Sequence, residues 1–167
     1  RIFFRSSTDM AFLADESVEL VVTSPPYPMI EMWDETFTAQ DESGAVGRAL
    51  SAGEGAEAFE LMHGVLDEVW RECYRVLRPG GFACINIGDA TRRVAGSFRL
   101  YANNARIISA CTALGLQALP AVLWRKQTNG PTKFMGSGML PPGAYVTLEH
   151  EYILIFRKGG KRSFDEE

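Results

Sequence analysis

The sequence has few of the residues that build metal centres and disulfide frameworks. It contains 3 cysteines and 2 histidines in 167 residues, and they stand at Cys73, Cys84, Cys111, His63 and His150. No two cysteines have the paired spacing of a structural zinc site, so we expect no metal. An odd number of widely spaced cysteines favours a reducing cytoplasm over a disulfide scaffold.

Long apolar runs are also missing. No segment approaches the roughly 18 apolar residues that a membrane-spanning helix needs, and no signal-peptide pattern opens the chain. The hydrophobic fraction of 46% and the charged fraction of 23% are ordinary for a globular protein. We therefore expect one cytoplasmic domain without membrane contact, long enough to bury a core.

Acidic residues are absent from one long segment. Residues 90–148 contain no acid and seven bases, whereas residues 1–89 contain 16 acids and 6 bases. The seven bases are Arg92, Arg93, Arg99, Arg106, Arg125, Lys126 and Lys133. Such a block can neutralise phosphates locally although the net charge is −4. A chance run of solvated side chains remains the alternative.

Short apolar segments alternate with amphipathic ones along the chain. The pattern predicts strands at residues 18–23, 82–87, 119–124 and 149–157, and helices at 10–14, 58–78 and 100–114. Residues 34–57 are rich in glycine, alanine, serine and acids, and we expect a flexible loop there. Residues 129–143 are irregular and rich in glycine and proline. This order predicts an α/β fold around a parallel sheet.

One motif at the end of the first predicted strand carries chemistry. Ser24, Pro25, Pro26 and Tyr27 follow that strand directly, and ligands of open α/β sheets bind at the carboxyl ends of strands. The prolines fix the backbone and leave carbonyl oxygens free to accept hydrogen bonds. A rigid Pro-Pro turn without function is the alternative.

The residues of the Ser24–Tyr27 motif suit methylation of an exocyclic amine. The amino nitrogen of a nucleobase is a poor nucleophile because its lone pair is delocalised into the ring. Acceptors at the Ser24 hydroxyl and the Pro25 carbonyl can orient the amino hydrogens, while Tyr27 stacks on a flipped-out base. The transfer itself is a direct displacement that depends on positioning.

Thr23 and the four residues after it resemble the catalytic motif of the DNA amino-methyltransferases of restriction–modification systems. Residues 75–81, 85–89, 123–126 and 149–158 resemble further blocks of that family in the family's order, and Asp9 matches its acidic residue before the catalytic strand. The resemblance covers nearly the whole chain. It implies the catalytic half of a three-layer, Rossmann-like methyltransferase fold.

The resemblance also implies a reaction and its partners. The cofactor is S-adenosylmethionine, with Asp9, Thr23 and Ser24 at its site, and the substrate is double-stranded DNA in a prokaryotic cytoplasm. The serine form of the motif is associated with N4 of cytosine, whereas the aspartate form is associated with N6 of adenine. N6-adenine therefore stays open as the alternative. Cytosine C5 methylation is excluded because no Pro-Cys dipeptide occurs.

For contacts with DNA we select five candidates. They follow predicted strand ends or lie in the acid-free segment: Arg92, Arg93, Lys126, Asn129 and Lys133.

The family's other signature, a Phe-x-Gly-x-Gly cofactor loop after a strand, is not evident. Residues 134–138 fit its spacing, but they follow no predicted strand and two prolines come soon after them. We therefore expect a loop near the DNA or the active site. We therefore expect the cofactor loop and the target-recognition part to lie outside this chain. A homodimer or a complementary C-terminal half could complete the site. The remaining alternative is a catalytically incomplete piece that only binds nucleic acid or a partner subunit.

Overall fold

The computed structural model describes residues 2–126 and 148–163. The described residues contain six strands and four α-helices. In order they are β1 (Val18–Thr23), α1 (Asp34–Gln40), α2 (Ala45–Ala52), α3 (Gly55–Val76), β2 (Leu77–Ile87), β3 (Ala90–Val94), β4 (Ser97–Tyr101), α4 (Asn103–Ala113), β5 (Leu116–Arg125) and β6 (His150–Lys158).

The main sheet has the strand order β1-β2-β6-β5. Strands β1 and β2 are parallel, whereas β6 runs antiparallel to both of its neighbours. The predicted α/β class is confirmed, but the expectation of a parallel sheet is wrong at β6. The Lys126 amide donates to the Glu149 carbonyl at 2.8 Å, which closes β5 and β6 as an antiparallel pair, whereas parallel neighbours need a crossover.

Helix α3 forms the centre of the core and confirms the helix predicted at residues 58–78. Met62, Leu66, Trp70 and Cys73 recur at helical spacing and are all buried. They belong to the same cluster as the inward side chains of β2, which are Ala83, Ile85 and Ile87. The helix therefore packs against β2, the neighbour of the strand that leads to the predicted site.

The flexible loop expected at residues 34–57 is wrong, because this segment contains α1, α2 and the first turn of α3. Its few apolar side chains are placed inward, and Phe37, Val46 and Ala49 are buried. The Asp41 carboxylate accepts a hydrogen bond from the Val46 amide at 2.7 Å, which satisfies a donor at the start of α2. Gly44 precedes α2 with a φ of +67°.

Residues 10–14 form a turn and no helix, with the Leu13 amide bonded to the Met10 carbonyl at 2.8 Å. The five residues are too few to sustain a helix without tertiary support.

A β-hairpin, β3 and β4, was not predicted. Its strands are joined at Ala95 and Gly96, which both have positive φ, +46° and +79°, as a two-residue turn requires. The helix predicted to begin at residue 100 begins at Asn103, because Ser97–Tyr101 pairs with β3. The turn has alanine where asparagine or aspartate is favoured before the glycine, so the sequence does not show the usual hairpin signal.

The other face of the main sheet is exposed in the part of the chain that is described. Leu20 is 55% exposed, Val22 72% and Phe82 38%. Apart from Val76, the buried apolar side chains of the four described α-helices belong to one core cluster on the opposite face. Within the described residues no helix has the length and apolarity to cross a membrane.

Lys158 provides a test of how α3 is anchored to the sheet. Its ammonium donates to the carbonyls of Tyr74 at 2.9 Å and Leu77 at 2.8 Å, so it satisfies acceptors at the end of the helix. We expect Lys158→Met to lower the free energy of unfolding by about 2 kcal/mol, because these acceptors lose a charged donor. Urea denaturation measures the loss. The exposed Lys161→Met is the matched control, and an equal effect of both changes would contradict the assignment.

Candidate active site

The loop after β1 is held rigidly against the core. Pro25 and Pro28 are buried, and Met29 is 1% exposed with a φ of +66°. A left-handed backbone is unfavourable for methionine, so the surrounding structure must hold it in place. The Met29 amide lies 3.4 Å from the sulfur of Met62 on α3. The loop from Thr23 therefore has one fixed course.

A buried amide joins this loop to the end of β2. Asn103 Nδ2 donates to the carbonyls of Pro28 at 3.1 Å and Gly88 at 2.9 Å, while its Oδ1 lies 3.0 Å from Nε2 of His63. Because an amide oxygen can only accept, Nε2 carries the hydrogen. Burial lowers the pKa of His63 to about 4, so the ring is neutral at neutral pH. Both side chains are fully buried. The Asn103 side chain therefore links the loop after β1 to the end of β2.

Above this anchor, Tyr27 lies at the centre of a hydrogen-bond network. Its hydroxyl donates to Oε2 of Glu151 at 3.0 Å and accepts from Nδ2 of Asn86 at 2.7 Å. Asn86 Nδ2 also donates to the same carboxylate oxygen at 2.7 Å. The Ser24 hydroxyl is 3.3 Å from the Tyr27 hydroxyl, and the Lys126 ammonium contacts Oε1 of Glu151. The network draws on all four strands of the main sheet.

The charges in this network are defined by burial and pairing. Burial opposes ionisation of Glu151, but hydrogen bonds from Lys126, Asn86 and Tyr27 outweigh it and lower the pKa of this carboxyl. Burial also raises the pKa of Tyr27, and the neighbouring carboxylate adds to the rise. Glu151 is therefore an anion at neutral pH, and Tyr27 is a neutral donor to it.

Gly88 leaves the room that this arrangement needs. A Cβ at position 88 would lie 3.1 Å from Cε2 of Tyr27 and 3.2 Å from Cγ of Glu151. Next to it, Oδ1 of Asn86 is buried and has no hydrogen-bond partner among the described residues. A buried acceptor of this kind is costly unless a ligand or water satisfies it.

The predicted DNA-binding residues fall into different settings. Arg92 forms a two-pronged ion pair with Asp34, at 2.7 and 2.6 Å. Lys126 is paired with Glu151 and also lies 5.2 Å from the ring centre of Trp124. Arg93 is exposed, and its guanidinium donates to the Gly96 carbonyl of its own hairpin. Asn129, Lys133 and the glycine-containing segment 134–138 lie outside the described residues.

The hairpin has one packed face and one solvent face. Directly opposed residues share a face, and Ala90 opposite Tyr101 is the packed pair, with exposures of 0% and 3%. Arg93 opposite Phe98 and Thr91 opposite Leu100 form the outer face. Because β3 follows β2 closely, this face begins at the same sheet edge as the loop after β1.

The predicted cofactor residues are only partly brought together. Thr23 and Ser24 adjoin the Tyr27 network, and Ser24 is exposed. Asp9 lies elsewhere, because the next residue, Met10, donates its amide to Glu72 near the C-terminal end of α3. Asp89 accepts the Asn104 amide at 3.0 Å, so it supports the start of α4.

Asn86, Asn103 and Glu151 were missed as site residues in the sequence. Asn86 and Glu151 are polar positions within predicted buried strands, and that interruption was the available signal. The side chains of Asn86 and Glu151 meet only because β2 pairs with β6, and the sequence pattern did not specify this pairing.

Comparison with known proteins identifies the family. The sequence model of a DNA methylase family, that of the N6 and N4 enzymes, matches residues 18–167. The chain belongs to this DNA methylase family. It is 53% identical over 167 residues to the Type II methyltransferase M.MthZI of Methanothermobacter thermautotrophicus, covering 100% of this chain and 47% of that protein. It is 51% identical to the Type II methyltransferase M.MjaI of Methanocaldococcus jannaschii, covering 98% and 57%.

Solved structures agree with the predicted methyltransferase-type fold. A DNA modification methylase assigned in Thermus thermophilus, solved with S-adenosyl-L-methionine, has a TM-score of 0.66 at 32% identity, over 94% of this chain and 54% of its own. PvuII DNA methyltransferase, which is cytosine-N4-specific, has a TM-score of 0.54 at 18% identity, over 93% and 48%. This DNA methylase chain spans about half the length of the curated relatives it matches.

The neutral His63 makes the anchor below the site sensitive to pH. Burial lowers the pKa of His63 from 6.5 to about 4, so between these values the unfolded chain binds a proton that the folded chain does not. The contribution that neutral His63 makes to the free energy of unfolding is therefore fully present above pH 6.5, and it is lost as the pH falls towards 4. The full loss is about 3 kcal/mol.

We expect urea denaturation between pH 7 and pH 5 to show the decline in the wild type. His63→Gln should be less stable at pH 7 but should show a flatter pH dependence across this interval. The interval lies above the ordinary pKa of acidic side chains, so their titration contributes little. Parallel curves for the two proteins would contradict the assignment.

Proposed function

We propose that this DNA methylase chain carries the catalytic part of an enzyme that transfers a methyl group from S-adenosylmethionine to the exocyclic amine of a flipped-out DNA base, with N4 of cytosine as the target. The observation that carries the proposal is the rigid Ser24–Tyr27 loop at the carboxyl end of β1, with Tyr27 fixed by Asn86 and Glu151. Family membership supports the reaction class.

The proposed roles follow from the positions of the groups. The Ser24 hydroxyl and the Pro25 carbonyl accept the two amino hydrogens of the base, which turns the nitrogen lone pair out of the ring plane. Tyr27 stacks on the base, and Pro26 keeps Ser24 and Tyr27 at a fixed spacing. Transfer would form a nitrogen–carbon bond as the carbon–sulfur bond of the donor breaks, with the bonding pair leaving on the sulfur, and the amine proton would pass to solvent.

S-adenosylmethionine supplies, when bound, a methyl group activated by a positively charged sulfur. The site fits such a group in one respect, because Oδ1 of Asn86 has no hydrogen-bond partner within residues 2–126 and 148–163 and can accept from an ammonium or an amine. A 32% identical structure was solved with this cofactor, and this too supports the proposal. We assign Thr23 and Ser24 to the cofactor side of the site, and we keep Asp9 as a candidate of lower rank.

We propose double-stranded DNA as the substrate, contacted by the outer face of the β3–β4 hairpin. Arg93 is exposed there, and no acid occurs between residues 90 and 101. Arg92 and Lys126 are already balanced by Asp34 and Glu151, so their contribution to phosphate binding should be smaller. Asn129 and Lys133 remain DNA-binding candidates from the sequence.

Two alternatives differ from this proposal in their products. N6 of adenine is a target of the same reaction class, and the family includes enzymes of both kinds. A chain that lacks the rest of the cofactor site would bind DNA or a partner subunit without transferring methyl groups. A second copy or a C-terminal half would then complete it.

Methyl transfer from labelled S-adenosylmethionine to mixed-sequence DNA tests the reaction and the target base together. We expect label in N4-methylcytosine after the DNA is digested to nucleosides. Ser24→Ala should lower kcat by at least about 100-fold, because the amine loses an acceptor in the transition state. The control is Ser51→Ala, on the exposed side of α2, which should leave kcat unchanged.

The longest native polypeptide that contains this chain is used beside the chain itself. Label in N6-methyladenine would replace the proposed base and keep the reaction. Absence of label with the longest polypeptide would reject the proposal.

The salt dependence of DNA binding tests the hairpin. We expect Arg93→Ala to weaken binding to all sequences and to reduce the slope of log K against log salt by about one, because one phosphate contact is lost. Arg78→Ala, whose arginine is paired with Glu19 at the opposite end of β2, is the control. Equal slopes for wild type and Arg93→Ala would contradict the proposal that the hairpin contacts DNA phosphates.

A further inference from the structure

We propose that Glu151 is a positioning residue for the methyl transfer: its carboxylate, paired with Lys126, holds the Tyr27 hydroxyl and thereby fixes the Tyr27 ring against which the target base stacks. This inference rests on the proposed function, since it assigns a task to a side chain outside the Ser24–Tyr27 motif. Glu151 acts through Tyr27 and touches neither base nor cofactor.

The first argument is convergence. Tyr27 comes from the loop after β1, Asn86 from β2, Glu151 from β6 and Lys126 from the residue after β5. One carboxylate therefore connects all four strands of the main sheet at a single edge. Three separate donors reach its two oxygens, so its orientation is determined from several directions.

The second argument is burial. The Glu151 side chain is only 10% exposed, and a buried carboxylate persists only where its charge is paired and hydrogen-bonded. A core position on a strand would be filled more simply by an apolar side chain. The charge at this position is therefore explained by the groups that it holds, and Tyr27 is the one that belongs to the site.

The third argument is the contrast with an adjacent pair. Arg125, at the end of β5, forms an ion pair with Glu149, the residue before β6, at 3.4 Å and with side-chain exposures of 84% and 32%. No hydrogen bond connects this pair to the described residues of the active-site loop. Glu149 thus offers a matched control that changes a carboxylate two residues away without touching the Tyr27 network.

Steady-state methyl transfer separates positioning from general stability. We expect Glu151→Gln to lower kcat by about tenfold, because a misoriented ring costs rate more than binding. The KM for S-adenosylmethionine should stay within about threefold, since the residue does not contact the cofactor. Glu149→Gln should behave like the wild type. A kcat of Glu151→Gln within about twofold of the wild type would overturn the inference.

The pH profile tests the role of Lys126. Removing the cation in Lys126→Met should let Glu151 take up a proton at higher pH, so the acid limb of kcat should move up by about one pH unit. Lys126→Arg should return the limb to its wild-type position by restoring the charge. If Lys126→Met instead raises the KM for DNA and leaves the limb in place, Lys126 serves the phosphates and the pairing part of the inference is wrong.

A readout independent of catalysis separates this inference from the proposed function. NMR of protein labelled at tyrosine Cζ follows the titration of the Tyr27 hydroxyl, assigned with Tyr27→Phe. We expect Glu151→Gln to lower the Tyr27 pKa because a neighbouring negative charge is removed, and Glu149→Gln to leave it unchanged. An unchanged Tyr27 titration in Glu151→Gln overturns the inference even if the enzyme is active. An altered titration in a protein that transfers no methyl supports the link while rejecting the reaction.

Discussion

The site depends on one buried amide. Asn103 is the point at which the loop after β1 and the end of β2 are joined, through the carbonyls of Pro28 and Gly88. These carbonyls lie at the end of strands, where the sheet no longer satisfies them, and burial without a donor would be costly. The neutral His63 in turn satisfies the amide oxygen. The buried side chains of Asn103 and His63 therefore fix the positions of the loop after β1 and of the end of β2 at the candidate site.

The mixed sheet gives the site its second support. Glu151 is near the start of β6, and β6 runs antiparallel to β2. Its first residues therefore lie beside the carboxyl end of β2 and, through it, near the loop after β1. In a parallel arrangement the same residue would lie at the opposite edge of the sheet. The reversal of one strand is thus what brings a carboxylate to Tyr27.

The sequence predicted the parts of this structure whose signal is local. The spacing of Met62, Leu66 and Trp70 was sufficient for α3, and the β-branched run before Ser24 was sufficient for β1. The Ser24–Tyr27 segment could be singled out because its four residues are contiguous. Helices α1 and α2 were missed because they bury few side chains, among them Phe37 and Val46, and depend on tertiary contacts for stability.

The remaining site residues could not be found in this way because they meet through pairing between distant segments. Tyr27 and Glu151 are separated by 124 residues, and the register of β2 with β6 decides that they meet. Arg92 shows the same limit for charge. It belongs to a segment without acids, yet its partner Asp34 comes from 58 residues earlier.

The position of β6 also determines when the sheet can be completed during synthesis. Strand β6 is the last element described, yet it lies between β2 and β5 in the sheet. As the polypeptide leaves the ribosome, β5 has no strand partner that links it to β2 until residues 150–158 emerge. The centre of the sheet is therefore assembled late, and the apolar edges of β2 and β5 stay open to chaperones during this interval.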